Sequence, residues 1–261
     1  MNIDLKYHRN GYDYWNKTVC CSKEAGGEPL TSEYFAAMEE YKYSQEPEIQ
    51  AFAQFSRYHG KKVLEAGVGA GTDFLQWVRC GARAYGIDLT ESAIIQTSER
   101  LKIYGLQAEE LQQADCENLP YPDNSFDLVY SWGVIHHTPS PKKALSELVR
   151  VTKPGGELKV MVYNRHSLVA FYRWWQMALL KLRPWMSLKN VLANHMENKG
   201  TQAFTEKEIK ELFQSFPLEI QNIQKFLTCY DRKVPFSGFW TRIAGADNAG
   251  WFMGVKAVKN K

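Results

Sequence analysis

The run Val63-Leu64-Glu65-Ala66-Gly67-Val68-Gly69-Ala70-Gly71 constrains this chain more than any other segment. An apolar stretch, Lys61–Gly67, reads as a buried strand, and Thr72–Cys80 reads as a helix. Three glycines in the turn between them let the backbone take positive φ and approach a ligand closely. The N–H groups at the start of the helix suit a polar or anionic group. A second strand is expected over Ala82–Leu89, and it ends beside Asp88. An acid at that place can accept both hydroxyls of a ribose. The turn lacks the last glycine of G-x-G-x-x-G, since Thr72 stands there, and no Gly-Lys-Ser/Thr of a Walker loop follows.

The alternation continues through residue 163. A helix is expected over Glu91–Tyr104, capped by Thr90, then a polar strand over Glu109–Asp115. Pro122-Asp123-Asn124-Ser125 forms a turn before a strand over Phe126–Trp132. A helix over Pro141–Val151 leads through Pro154-Gly155-Gly156 to a fifth strand, Glu157–Tyr163. Strands alternating with helices imply βαβ units and a doubly wound parallel sheet. The flanks differ in character. Residues 1–60 are polar and aromatic-rich, with helical patterning around Ser32–Met38 and Glu48–Tyr58. Residues 164–204 interrupt the alternation as a helical insertion, and Thr205–Phe216 then reads as a helix capped by Thr205 with Glu208 three residues on. Two last strands are expected at Leu218–Leu227 and Gly250–Lys259. The expected organisation is an N-terminal cap (1–60), a nucleoside-binding core (61–163), a lid (164–204) and the C-terminal part of the sheet (205–261).

Taken together, several motifs resemble the class I S-adenosylmethionine-dependent methyltransferases. The run from Glu65 to Gly71 is similar to their motif I, and Asp88 to the ribose-binding acid of motif II. Ala114-Asp115-Cys116-Glu117-Asn118-Leu119-Pro120 resembles the stretch whose Asp lies by the adenine amino group. Asp123–Val129 with His136-His137-Thr138-Pro139 resembles motif IV, and Lys153–Gly156 the turn before strand five. The match spans residues 61–163 and is nearest the type 11 small-molecule group, which also contains quinone-biosynthesis enzymes. It implies a Rossmann-like, doubly wound α/β sheet of seven strands with the last strand antiparallel. It also implies S-adenosylmethionine as cofactor, held by Glu65, Gly67, Gly69, Gly71, Thr72, Asp88, Leu89, Asp115, Cys116 and Ser131, and S-adenosylhomocysteine as product.

Methyl transfer from a sulfonium is an in-line displacement, so the protein must align, desolvate and, where needed, deprotonate the acceptor. His136 and His137, just after strand four, are the candidate bases, because imidazole titrates near neutral pH. Adjacent side chains point to different sides, which leaves one of the pair to hydrogen-bond the cofactor or the backbone. Tyr163 at the end of strand five borders the same place. His166 and His195 lie in the insertion, within reach of a lid or on the surface.

Composition narrows the acceptor. Lys and Arg number 32 against 29 Asp and Glu, too balanced for an evident nucleic-acid binder. Strand four ends Ser131-Trp132-Gly133-Val134, not in the Pro-Pro-aromatic run of amino-methylating DNA enzymes, and no Pro-Cys occurs. Five cysteines without CxxC spacing indicate neither a disulfide framework nor a metal site. Charged residues interrupt the N-terminus and no run reaches the ~20 apolar residues of a membrane span, so a cytoplasmic enzyme without stable membrane insertion is expected. Aromatics make 13% of the chain, with Trp174, Trp175 and Trp185 in the insertion and Tyr7, Tyr12, Tyr14, Trp15, Tyr34, Tyr41 and Tyr43 in the cap. The segment Leu168–Trp185 admits three readings: a lid over the acceptor, an interfacial helix on a membrane, or a core or homodimer helix. The function expected is methyl transfer to oxygen or nitrogen of a small, partly apolar or aromatic molecule. Transfer to an isoprenoid quinone or lipid-like acceptor at the membrane face, or a non-catalytic cofactor-binding subunit, are the alternatives.

Overall fold

The computed structural model describes residues 8–19, 21, 22 and 26–261. Tyr7 and Cys20 lie outside the described residues. Five strands follow one another as expected: β1 (Lys62–Ala66), β2 (Arg83–Asp88), β3 (Glu110–Gln113), β4 (Phe126–Trp132) and β5 (Thr152–Asn164). A two-residue β6 (Ala203–Phe204), β7 (Leu218–Phe226) and β8 (Phe252–Lys259) complete the sheet. Its order is β3-β2-β1-β4-β5-β8-β7, with β6 beside β5. All pairs are parallel except those that β8 makes with β5 and β7. The chain steps outward from β1 to β3, then restarts at β4 on the other side, so the topological switch falls between β1 and β4. Ligands bind outside the carboxyl ends of strands at such a point.

Both faces of the sheet are covered, so β1 and β4 are nearly continuous apolar runs. Leu64 and Ala66 face a core shared with Leu145, Leu148, Ile209 and Phe213. Val63 and Tyr130 face the other, which is dense in aromatics: Phe52, Phe55, Tyr58, Phe74, Trp77 and Trp251. Much of the aromatic excess is therefore core. Trp77 packs edge-on against Phe55 at 4.4 Å and Tyr130 at 5.3 Å, which adds to the area it buries.

The helices are α1 (Arg9–Lys17), α2 (Ser32–Gln45), α3 (Glu48–Ala53), α4 (Thr72–Arg79), α5 (Glu91–Ile103) and α6 (Pro141–Val151). They continue with α7 (Leu168–Trp174), α8 (Leu188–His195), α9 (Glu206–Gln214), α10 (Cys229–Arg232), α11 (Ser237–Ala244) and α12 (Ala246–Ala249). The capping box at Thr205 and Glu208 is formed. The structure departs from the sequence reading at several places. The helix expected over Glu48–Tyr58 breaks at Gln54, which takes φ 60° and is followed by a 3-10 turn, Phe55–Tyr58. The break frees the Ala53 carbonyl and the Gln54 side chain to accept from the buried Lys159 ammonium at 2.7 and 3.0 Å. Thr90 stands at the cap of α5, but its hydroxyl donates to Asp88 instead. The Asn16 side chain, from α1, accepts the Ser92 N–H in that first turn. Helices α1 and α10–α12 were not anticipated, because short segments of this kind owe their form to tertiary packing.

Candidate active site

A cavity of about 520 Å³ opens at the carboxyl ends of β1, β2, β4 and β5. The glycine turn forms its floor. Gly67, Gly69 and Gly71 take φ of 87°, 55° and 75°. A Cβ on Gly67 would stand 2.2 Å from Val134 Cγ2, so the turn packs tightly against the loop after β4. A Cβ on Gly69 would meet nothing within 4 Å, leaving a backbone edge that a ligand can approach. Asp88 closes the turn: Oδ2 accepts the Gly69 N–H at 3.0 Å and Oδ1 accepts from the Thr90 N–H and hydroxyl at 2.9 and 2.8 Å. Burial raises the Asp88 carboxyl, and these donors oppose that rise.

The turn is braced from below by a residue the sequence did not advertise. Arg100, fully buried, donates to the Ala70 carbonyl (3.2 Å), Thr72 Oγ1 (2.8 Å), the Phe35 carbonyl (3.1 Å) and Glu39 (2.8 Å). One guanidinium thus ties α2 and α5 to the glycine turn with its fixed fork of donors. Beside it lies a carboxylate cluster. Asp73 accepts from Tyr130 (3.0 Å) and Tyr43 (3.1 Å) and pairs with Lys42 (3.0 Å). Glu65 accepts the Trp77 indole N–H at 2.8 Å, and burial, with Asp73 nearby, holds its carboxyl well above the usual range.

At one end of the cavity stand Leu89, Asp115 and Cys116. Asp115 accepts the Glu117 N–H at 2.8 Å and pairs with His8 Nε2 at 2.8 Å. The His8 contact, the Glu117 N–H and the charge of Lys143 outweigh burial and keep the Asp115 carboxyl low. Burial pushes the Cys116 thiol well up, so it is a neutral wall and no nucleophile. Residues of α1, Gly11, Tyr14 and Trp15 among them, form the roof.

At the other end, beyond the switch point, Trp132, Tyr163, Tyr230 and Phe252 form aromatic walls. Two carboxylates face this end. Glu46 accepts the Trp132 indole N–H at 2.8 Å, and Glu197 Oε1 accepts from the Tyr163 hydroxyl at 3.2 Å. Glu197 Oε2 is buried with no hydrogen-bond partner among the described residues, and burial raises that carboxyl. His137 lines the cavity, with Nδ1 3.1 Å from Thr201 Oγ1. Burial depresses its imidazole to about 3.

Of the residues singled out in the sequence, Gly67, Gly69, Thr72, Asp88, Leu89, Asp115, Cys116, His137 and Tyr163 line the cavity. Glu65, Gly71, Ser131 and His136 lie behind its wall. Gly71 is filled against Thr97, which a Cβ would meet at 2.8 Å. Ser131 is fully buried in β4. His136 is fully buried, its ring 4.0 Å from that of Tyr163 and 4.2 Å from that of His137. Burial, then His137, drives its imidazole well below neutral titration. Trp174, Trp175 and Trp185 do not reach the cavity; the insertion contributes Glu197, Asn198, Lys199 and Gly200. His166 and His195 do not line it either.

A family model for a methyltransferase domain matches residues 64–160, the segment that carries the glycine turn, Asp88, Asp115 and β4. The core of this chain is a class I S-adenosylmethionine-dependent methyltransferase domain. The chain is 31% identical over 121 residues to a phosphatidylethanolamine N-methyltransferase of Cereibacter sphaeroides, covering 46% of this chain and 59% of that one. It is 33% identical over 135 residues to a malonyl-[acyl-carrier protein] O-methyltransferase of Erwinia billingiae, covering 49% of each. It thus spans about half of these relatives' lengths. A SAM-dependent methyltransferase from Aquifex aeolicus shares the fold, with a TM-score of 0.53, 17% identity and coverage of 84% of this chain and 96% of that one. The cofactor of the domain is S-adenosylmethionine. The residues present fit it: the open edge at Gly69 and the acid at Asp88 suit a nucleoside, and Asp115 and Cys116 line the same end of the cavity, where a base would lie.

Proposed function

We propose that this protein transfers a methyl group from S-adenosylmethionine to an oxygen or nitrogen of a small, partly apolar molecule. The observation that carries this reading is one continuous cavity. It runs from the nucleoside-type residues Asp88 and Asp115 to a chamber walled by Trp132, Tyr163, Tyr230 and Phe252. When bound, the cofactor supplies a methyl on a positively charged sulfur that leaves as a neutral thioether.

The chain's own residues do the rest. Asp88 would accept the ribose hydroxyls, and the glycine turn would offer its open edge to the nucleoside. Aromatic faces hold a flat or apolar acceptor and exclude water, and they favour a cationic centre. Glu197, with an unpartnered oxygen and a raised carboxyl, is the group placed to accept a proton from the acceptor. Tyr163 holds it in position through its hydroxyl. His137 is poorly suited to that task, since its imidazole takes a proton only far below neutrality.

Calorimetry with S-adenosylhomocysteine, followed by a screen of phenols, amines, carboxylates, thiols and quinols for S-adenosylhomocysteine release, tests the reading. Binding of the product and turnover with one of these classes are expected. A protein that binds no S-adenosylhomocysteine overturns it.

A further inference from the structure

The outer surface beyond the cavity carries an unusual concentration of apolar side chains. Of fourteen exposed large hydrophobic residues among the described residues, eleven fall between 171 and 185 or between 230 and 243. Phe171, Leu180, Leu182 and Trp185 belong to the first segment. Phe236, Phe239, Trp240 and Ile243 belong to the second. Helix α10 packs against both α7 and α11, so it joins the two segments. Its Tyr230 is 46% exposed and also lines the cavity. The apolar face therefore reaches the rim of the chamber.

Two further observations bear on what covers it. The two most exposed apolar residues, Leu182 and Phe236, each 82% exposed, stand at φ 55° and 57°. Left-handed backbone is disfavoured for such residues, and strain of this kind collects at functional surfaces. Charge is one-sided as well. Residues 165–196 contain five Lys or Arg and no Asp or Glu, and residues 232–246 contain three and none. Lys181, Arg183, Lys189 and Arg242 are exposed, and none forms an ion pair with a described residue.

We propose that the segments 171–185 and 230–243 form one docking face for an anionic lipid bilayer, seated around the rim of the chamber. Apolar tips enter the interface while the cations meet anionic headgroups, as in amphipathic surface helices. A symmetric pair of copies would instead bring like charges together on this face, which disfavours a self-dimer. No helix among the described residues is long and apolar enough to cross a membrane, so the contact is peripheral. It offers an amphiphilic acceptor a path from the bilayer past Tyr230. That consequence rests on the reading of the chamber as the acceptor site, whereas the docking does not.

The full chain is sedimented with vesicles of phosphatidylcholine alone and of phosphatidylcholine with roughly 30% phosphatidylglycerol, which gives the surface its negative potential. Binding at least tenfold tighter to the anionic vesicles, weakened by 0.5 M salt, is expected. Leu182→Glu and Phe236→Glu are each expected to lower that binding about tenfold, and Lys181→Glu with Arg183→Glu likewise. All are expected to keep S-adenosylhomocysteine affinity unchanged. Equal binding to both vesicles, no binding to either, or a solution dimer abolished by Leu182→Glu overturns the proposal. Product binding without vesicle binding sinks the docking alone; vesicle binding without product binding sinks the methyltransferase reading alone.

Discussion

The two ends of the cavity are built by different means. Around β1, β2 and the glycine turn, the contacts of the motif acid join residues at motif spacing, though Arg100 and His8 brace that end from farther along the chain. Asp88 bonds Gly69 and Thr90, and Gly67 packs on Val134. Around β5 the chamber is assembled from Glu46, Tyr163, Glu197, Tyr230 and Phe252, which span two hundred residues of chain. The first end suits one ligand and tolerates little. The second is a convergence of segments far apart in the chain. That difference lets one fold serve many acceptors.

Substitutions can break this contrast. The largest expected effect is at Arg100. Arg100→Met leaves buried carbonyls of Ala70 and Phe35 without their donor and should cost about 3 kcal/mol of stability in urea titration. A loss below about 1 kcal/mol would mean that the turn stands without this brace. Next, Glu197→Gln should slow methyl transfer roughly a hundredfold while S-adenosylhomocysteine affinity stays unchanged. His137→Ala should slow it far less, and the reverse ranking would move the proton-accepting role to His137. Asp88→Ala should weaken S-adenosylhomocysteine binding by about 2 kcal/mol, near thirtyfold. An unchanged calorimetric affinity would remove Asp88 from the nucleoside site.

Two further effects sharpen the comparison. Gly69→Ala imposes a side chain at φ 55° in open space and should cost about 1 kcal/mol in thermal melts. Gly67→Ala, which meets Val134, should cost distinctly more. The last effect concerns pH. His137 is held at about 3, well below its unfolded value near 6.5. The native state then binds fewer protons than the unfolded chain below pH ~6.5, and stability falls as pH drops through that range. His137→Phe should therefore gain about 2 kcal/mol relative to the parent between pH 7 and 5. A difference that does not change with pH would mean that the imidazole is not held neutral.

How much of this was legible in the sequence follows the same division. Strand and helix alternation, the glycine turn and Asp88 could be read because local periodicity and spacing create them. The tie of Arg100 to Glu39 and the approach of His8 to Asp115 join residues 61 and 107 apart, where no spacing rule operates. Glu197 looked like an ordinary polar residue at the end of a helical segment. Only the folded chain places it beside Tyr163. His136 shows the converse: a histidine pair suggested acid–base chemistry, yet the wall between β4 and β5 encloses one member completely. The tryptophans of the insertion misled in the same way. Their pattern left open a lid, a membrane-facing helix and a core or homodimer helix, and the folded chain keeps them off the cavity.

Helix α1 carries a consequence of another kind. It buries no residue of its own, and it is held over the nucleoside end by His8 on Asp115 and by Asn16 on Ser92. A short surface helix of this kind, which also sets Trp15 against His137 at 5.0 Å, belongs to the class of elements that open locally below the global unfolding free energy. Because it is tethered, it returns as an intramolecular event at high effective concentration. Opening of that helix would expose the nucleoside end of the cavity without disturbing the sheet beneath it.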